Sequence, residues 1–315
     1  MSKSEELKEN TDFGVAGYCL SVFLFILFFN AFGLYGQKFA AGVAISWGCG
    51  AVLWMVRVLF QSGSDPEGVD KPFNWQLFLL FPLFLPLAFP LWLIPVVLYM
   101  TYFLAVSAFG GQGKHIFNPV VVAVVFMLCG YGYTSVMHAT RPFANPNDGY
   151  RVWTAGVPPR VDIRDVFSDI EPKKVCEASL KGYIPSLPGS CYGIVILIAS
   201  FLYSLVFKRR LLWWIVAVGA VCSFAVLLKQ PQEFCIAPIN AIFVGIIPSL
   251  LLCGVADYTS IPNGLKPQIV YGIVFGFFSV LMFFYSSEIL APAYGFLLMQ
   301  VISPLVVDIC RKGKK

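Results

Sequence analysis

The sequence predicts an all-α membrane protein of about ten transmembrane helices, and three observations predict it. The chain is 58% hydrophobic and 12% charged over 315 residues, whereas a soluble domain is about half apolar and about a quarter charged. The apolar residues gather in runs of the length that crosses a bilayer, about 20 residues for one helix. Lysine and arginine concentrate in alternate connections, as they do in multi-pass proteins. The net charge of +5 is spread over short loops and the C-terminus, so no basic surface for nucleic acid is expected. The opening segment MSKSEELKENTDFG lacks the basic start and small-residue cleavage site of a secretory signal. The first apolar run is therefore expected to remain as a membrane helix.

In chain order the runs fall at about 13–35, 39–60, 75–89, 91–109, 117–133, 192–207, 211–228, 234–253, 268–285 and 289–309. The third is irregular. FLLFPLFLPLAFPLWLIP carries Pro82, Pro86, Pro90 and Pro95, and each proline removes a backbone donor. Unwound backbone at membrane depth needs protein or a cavity around it. The spacing predicts a short or broken helix, a tight turn, and then the fourth helix. With the N-terminus cytoplasmic, the inner connections hold Arg57, Lys71, Lys114, Lys208, Arg209, Arg210 and Lys266, and the short outer ones only Lys38 and Lys229. Both termini are thus expected in the cytoplasm, which requires an even number of helices.

The chain then divides into residues 1–133, a long outer loop 134–190, and residues 191–315. Two halves of about five helices each, in opposite orientation, are a transporter-like plan. The loop is rich in Pro, Gly, Asp and Arg, yet Phe143, Tyr150, Val152 and Trp153 argue that it is ordered against something. Nine cysteines occur without a C-x-x-C or a Cys/His cluster, so no iron–sulfur or zinc site is expected. Cys176 and Cys191 share the loop, either as a disulfide or as two free thiols.

The segment GGQGKHIFNPVVVAVVFMLCG poses a sharper question. Gly110, Gly111 and Gly113 permit positive φ and close backbone approach. Asn118 and Pro119 read as N-cap and first helical residue. A glycine turn entering a helix N-terminus, with Lys114 beside it, can hold an anion; it is equally read as a capped cytoplasmic turn with Lys114 as topology anchor. Asp257, in CGVADYTSIPNGLKP, is an acid at a membrane boundary and an ion-path candidate. His115 and His138 have no metal-like partner nearby in sequence and are read as non-catalytic. No catalytic triad, P-loop or dinucleotide fingerprint occurs. A complete active site in this chain, or NADH binding by it, is not expected.

FGGQGKHIFNPVVVAVVFM resembles the GG-x-G-x-N-x-FNPA signature of the RnfD/NqrB family of membrane subunits. The stretch from Cys253 to Asp308 resembles that family's ending through Phe296, Leu297, Leu298, Met299, Pro304, Leu305 and Asp308. The resemblance implies two inverted five-helix halves like those of urea and ammonium transporters. It implies a cell-membrane subunit of an Rnf-type complex, with electrons passing by flavin between ferredoxin and NAD sides and coupled to Na+ or H+ transport. The expected partners are the other membrane and peripheral subunits, a flavin transferase, and the lipid bilayer. It also implies FMN bound covalently to a threonine in a D-G-x-S-x-A-T pattern, with a second, noncovalent flavin as a further option. Asp148, Gly149 and Thr154 keep that pattern in DGYRVWT, while Arg151 and Trp153 depart from it; Trp153 offers an aromatic face for the ring. In this view Gly113, Lys114 and Asn118 direct free amides toward the centre of the protein. A stand-alone channel for a small solute and a flavin-free structural subunit are the alternatives.

Overall fold

The computed structural model describes residues 3–61, 73–111, 114–130, 139–140, 142–143, 148–153, 160–161, 172–184, 186–206, 246–257, 265–286 and 290–312. The described chain is almost wholly helical. Its first two elements are long: α1 Lys3–Tyr35 and α2 Gln37–Gln61. Gly36 alone separates them, with φ 97° and its N–H on the Phe32 carbonyl at 3.0 Å. A left-handed residue just past a helix end favours glycine, and here it reverses the chain into a hairpin. Within the pair, Gly17–Tyr35 and Gln37–Phe60 are long and apolar enough to cross a membrane. Leu20, Leu24, Leu27 and Ala31 of α1 are buried, while Val22, Phe25, Ile26 and Phe29 are exposed. A helix apolar on both faces belongs in lipid rather than in water.

The proline-rich stretch is broken as expected. α3 Trp75–Leu80 is capped by Asn74, whose side chain accepts from the Leu77 N–H. It tightens into a 3₁₀ turn, Phe81–Phe84, and Leu85 is extended. The carbonyls of Pro82, Pro86 and Pro90 each accept the N–H three residues on, from Leu85, Phe89 and Leu93. These bonds satisfy backbone in a segment whose Leu83, Phe84, Leu85, Leu87 and Phe89 are buried. Helix α4, Leu93–Thr101, follows and widens into a π turn, Tyr102–Ser107.

Helix α5, Pro119–Gly130, has 12 residues. The outer loop contributes a two-residue antiparallel pairing of β1 Ala139–Thr140 with β2 Arg160–Val161, a 3₁₀ turn at Asp148–Arg151 and α6 Pro172–Lys181. Helix α7 is Gly193–Val206 and α8 is Ile246–Ala256. Every residue of α8 is buried, which puts it at the centre of the described structure. The hairpin of α9 Leu265–Ser286 and α10 Ala291–Lys312 completes the chain. The expected run at 211–228 and the first part of 234–253 lie outside the described residues.

Described loop residues Phe143, Gly149, Tyr150 and Val152 lie against the α1–α2 reversal. Gln37 donates its backbone N–H to Val152 at 3.1 Å and its side-chain amide to the Tyr150 carbonyl at 3.0 Å. Phe143 donates to the Leu34 carbonyl. Gly149 lies so close to the carbonyls of Phe32 and Gly33 that no side chain fits there. Cys176 and Cys191 are free thiols, so the disulfide is not formed; burial pushes the Cys191 thiol up, which keeps it protonated.

Helices α9 and α10 touch at Gly295, where a Cβ would sit 2.7 Å from the Ser279 nitrogen. Gly295→Val is expected to wedge the hairpin apart at a cost of about 1–3 kcal/mol. The readout is the apparent melting temperature of detergent-solubilised protein, with Val301→Ala, at a 57% exposed position of α10, left near wild type.

Candidate functional site: a buried junction of broken helices

The end of α4 is shaped by backbone geometry. In the π turn, Ala108 and Gly111 donate to carbonyls five residues back, Phe103 at 2.9 Å and Val106 at 3.0 Å. Such turns mark irregular and often functional places in helices. Gly110 and Gly111 then take φ of 95° and 97°, a region that other residues rarely enter. The chain swings round Lys114, which is exposed, and buries His115 and Asn118.

Asn118 is where the helices meet. Its Oδ1 accepts from the backbone N–H groups of Val120 at 3.0 Å and Val121 at 3.4 Å, capping α5. Its Nδ2 donates to the Cys253 carbonyl in α8 at 3.0 Å. Its own backbone N–H donates to Gln300 Oε1 of α10 at 3.0 Å. One fully buried side chain and its amide thus bind three helices.

Helix α8 ends at the same place. The last carbonyls of a helix have no partner within it. Here the Cys253 carbonyl takes Asn118, and the Ala256 carbonyl takes Gln76 Nε2 of α3 at 2.7 Å. Asp257 follows at once, buried to 3% exposure. A carboxylate beside the negative end of a helix dipole is disfavoured. His115 Nε2 lies 3.0 Å from Asp257 Oδ1. The positive start of α5 is adjacent as well.

The depth of the junction follows from α10. Gln300 stands about 14 Å along the helix from its first residue and about 18 Å from its last, at 1.5 Å per residue. The polar knot therefore lies beside the middle of α10, not at the mouth of a helix.

The structure brings Asn118 and Asp257 to one place and leaves Lys114 outside it, its stem against Gly110. Gly113 lies outside the described residues. Asp148, Gly149 and Trp153 belong to a separate locality. They sit at the Gln37 end of α2, whereas α3 starts beside Trp54, through the Trp54–Trp75 ring contact. Those positions are about 25 Å apart along α2. Gly149 is buried, Asp148 is exposed, and Trp153 is 51% exposed. Thr154 lies outside the described residues. His115, for which the sequence shows no metal-like partner nearby, contacts Asp257, 142 residues away. Gln76 and Gln300 carried no sequence signal.

Apolar helices, with a helix start and a helix end meeting at a buried polar junction, are compatible with an α-helical membrane protein. The chain belongs to the NQR2, RnfD, RnfE family, whose model matches residues 15–314. It is 25% identical over 235 residues to the D subunit of the Na(+)-translocating ferredoxin:NAD(+) oxidoreductase complex of Acetobacterium woodii. That match covers 70% of this chain and 66% of the relative, just under two thirds of its length.

Replacing Asn118 separates the contributions at the junction. Asn118→Ala is expected to cost about 2 kcal/mol, the cap together with a buried carbonyl that loses a donor. Asn118→Ser keeps a cap acceptor and is expected to fall between alanine and wild type. Thermal melts of the purified chain give the order; equal melts for all three would show that the junction carries no stability.

Proposed function

We propose that this chain is the D-type membrane subunit of an ion-translocating ferredoxin:NAD+ oxidoreductase complex in the cell membrane. The observation that carries this is the family match along nearly the whole chain, 15–314, supported by the likeness to the Acetobacterium woodii protein. In this reading both termini are cytoplasmic and two halves, 1–133 and 191–315, face opposite ways across the loop 134–190. Asn118, Asp257 and His115 belong to the ion path where those halves meet. The other subunits of the complex supply the nucleotide and ferredoxin chemistry.

Flavin carriage falls to the loop. Gly149 lets the Asp148–Arg151 turn press onto the α1 backbone, and Gln37 holds Tyr150 and Val152. This anchoring presents exposed Val152 and Trp153 directly before Thr154. An exposed indole next to a hydroxyl that could carry a phosphate ester fits a tethered FMN, since a flat ring stacks on it. When bound, the flavin supplies one- and two-electron carriage. The protein's part is to fix the tether against two membrane helices. Arg151 and Trp153, where the resembled pattern has small residues, favour the second reading of a flavin-free structural subunit.

Co-expression with a flavin transferase separates the two. The expected result is a fluorescent band for the denatured wild-type chain and a dark one for Thr154→Ala. A dark wild-type band would remove covalent flavin and leave the structural reading.

A further inference from the structure

Four described oxygens of the junction, and one of the two carboxylate oxygens of Asp257, have a nitrogen as neighbour. The Cys253 carbonyl accepts from Asn118 Nδ2 and from the Asp257 N–H. The Ala256 carbonyl accepts from Gln76. Asn118 Oδ1 accepts from Val120 and Val121, and Gln300 Oε1 from the Asn118 N–H. Asp257 Oδ1 faces the imidazole of His115 at 3.0 Å. A hard cation needs a shell of about six oxygens with lone pairs turned toward it. Here each of these oxygens has a nitrogen as its neighbour, and a cation would have to displace several N–H donors at once.

The chemistry that fits is smaller. Histidine is the side chain whose ordinary charge change falls in the physiological range, and the chain has two histidines in all. One of them is buried at 3% exposure against a buried carboxylate. Among the described residues, the titratable groups within electrostatic reach of Asp257 include Cys253 of α8 and Tyr271 of α9. The side chains that α3 and α10 bring to the junction, Gln76 and Gln300, are neutral. Lys114 adjoins His115 in the chain but is exposed.

We infer that the His115–Asp257 pair is a proton-binding site, and that the ion handled at this junction is the proton rather than a hard metal cation. This rests on reading the junction as part of the ion path. The pair takes up one proton, shared between imidazole and carboxylate as a coupled unit, and gives it off again with no other bond made or broken.

The test is nuclear magnetic resonance of the full chain in nanodiscs, with isotope-labelled histidine and titration from about pH 5 to about pH 9. It is run in sodium chloride and in choline chloride at equal ionic strength. His138→Ala assigns the His115 signal. The expected result is one titration step for His115 whose midpoint is the same in both salts and is moved by Asp257→Asn. A midpoint displaced by sodium by about one pH unit, tenfold in proton affinity, would place sodium on Asp257 and overturn the inference. A His115 signal that does not titrate would overturn it too. If Asp257→Asn does not fold, the two-salt comparison on the wild-type chain decides alone. The flavin test reads the other locality, so a dark gel leaves this inference standing.

Discussion

Backbone that leaves a helix inside an apolar environment must still find its hydrogen bonds, and the rest of this structure is organised around that requirement. Asn118 meets most of it. It closes the start of α5, takes a carbonyl from the end of α8, and lends its own amide to Gln300. The carbonyl of Ala256 is met by Gln76. A helix start and a helix end are thereby placed against each other, with opposite dipole ends in contact. His115 and Asp257 add a buried side-chain contact beside it, at 3.0 Å. The proline-rich turn solves the same problem by another route, since Pro82, Pro86 and Pro90 give carbonyls to nearby amides and need no donors of their own.

The two localities differ in what holds them. The junction is buried polar chemistry, in which each group is costly to leave unmatched. The loop turn is steric: Gly149 fits against the α1 backbone because it has no side chain, and the Tyr150 ring stands edge-on to Phe32 at 4.8 Å. A polar substitution should therefore act chiefly at the first, and a change of size at the second.

The apolar runs were legible because a membrane helix is a local property. The bounds of α1, α2, α9 and α10 agree with those runs at most ends to within a few residues, and α1 begins earlier because its polar first turns continue the helix. The break after Phe84 was legible because proline acts on its own neighbours. Asn118 and Pro119 announced the start of α5 by cap chemistry. What could not be read is pairing at a distance. Nothing near His115 points to Asp257, and nothing near Gln76 points to the end of α8. The π turn was also hidden, because YFLAVS has no residue that distinguishes it from ordinary helix.

The single-residue reversal at Gly36 sets an order of assembly. Synthesis proceeds from the N-terminus, so the α1–α2 hairpin is complete before residues 142–153 leave the ribosome. Of these, Phe143, Gly149, Tyr150 and Val152 then dock against Leu34, Phe32, Gly33 and Gln37, a surface already in place. The hairpin acts as the template on which the loop matures, and any enzyme that modifies the loop meets it only after the first two helices have come together.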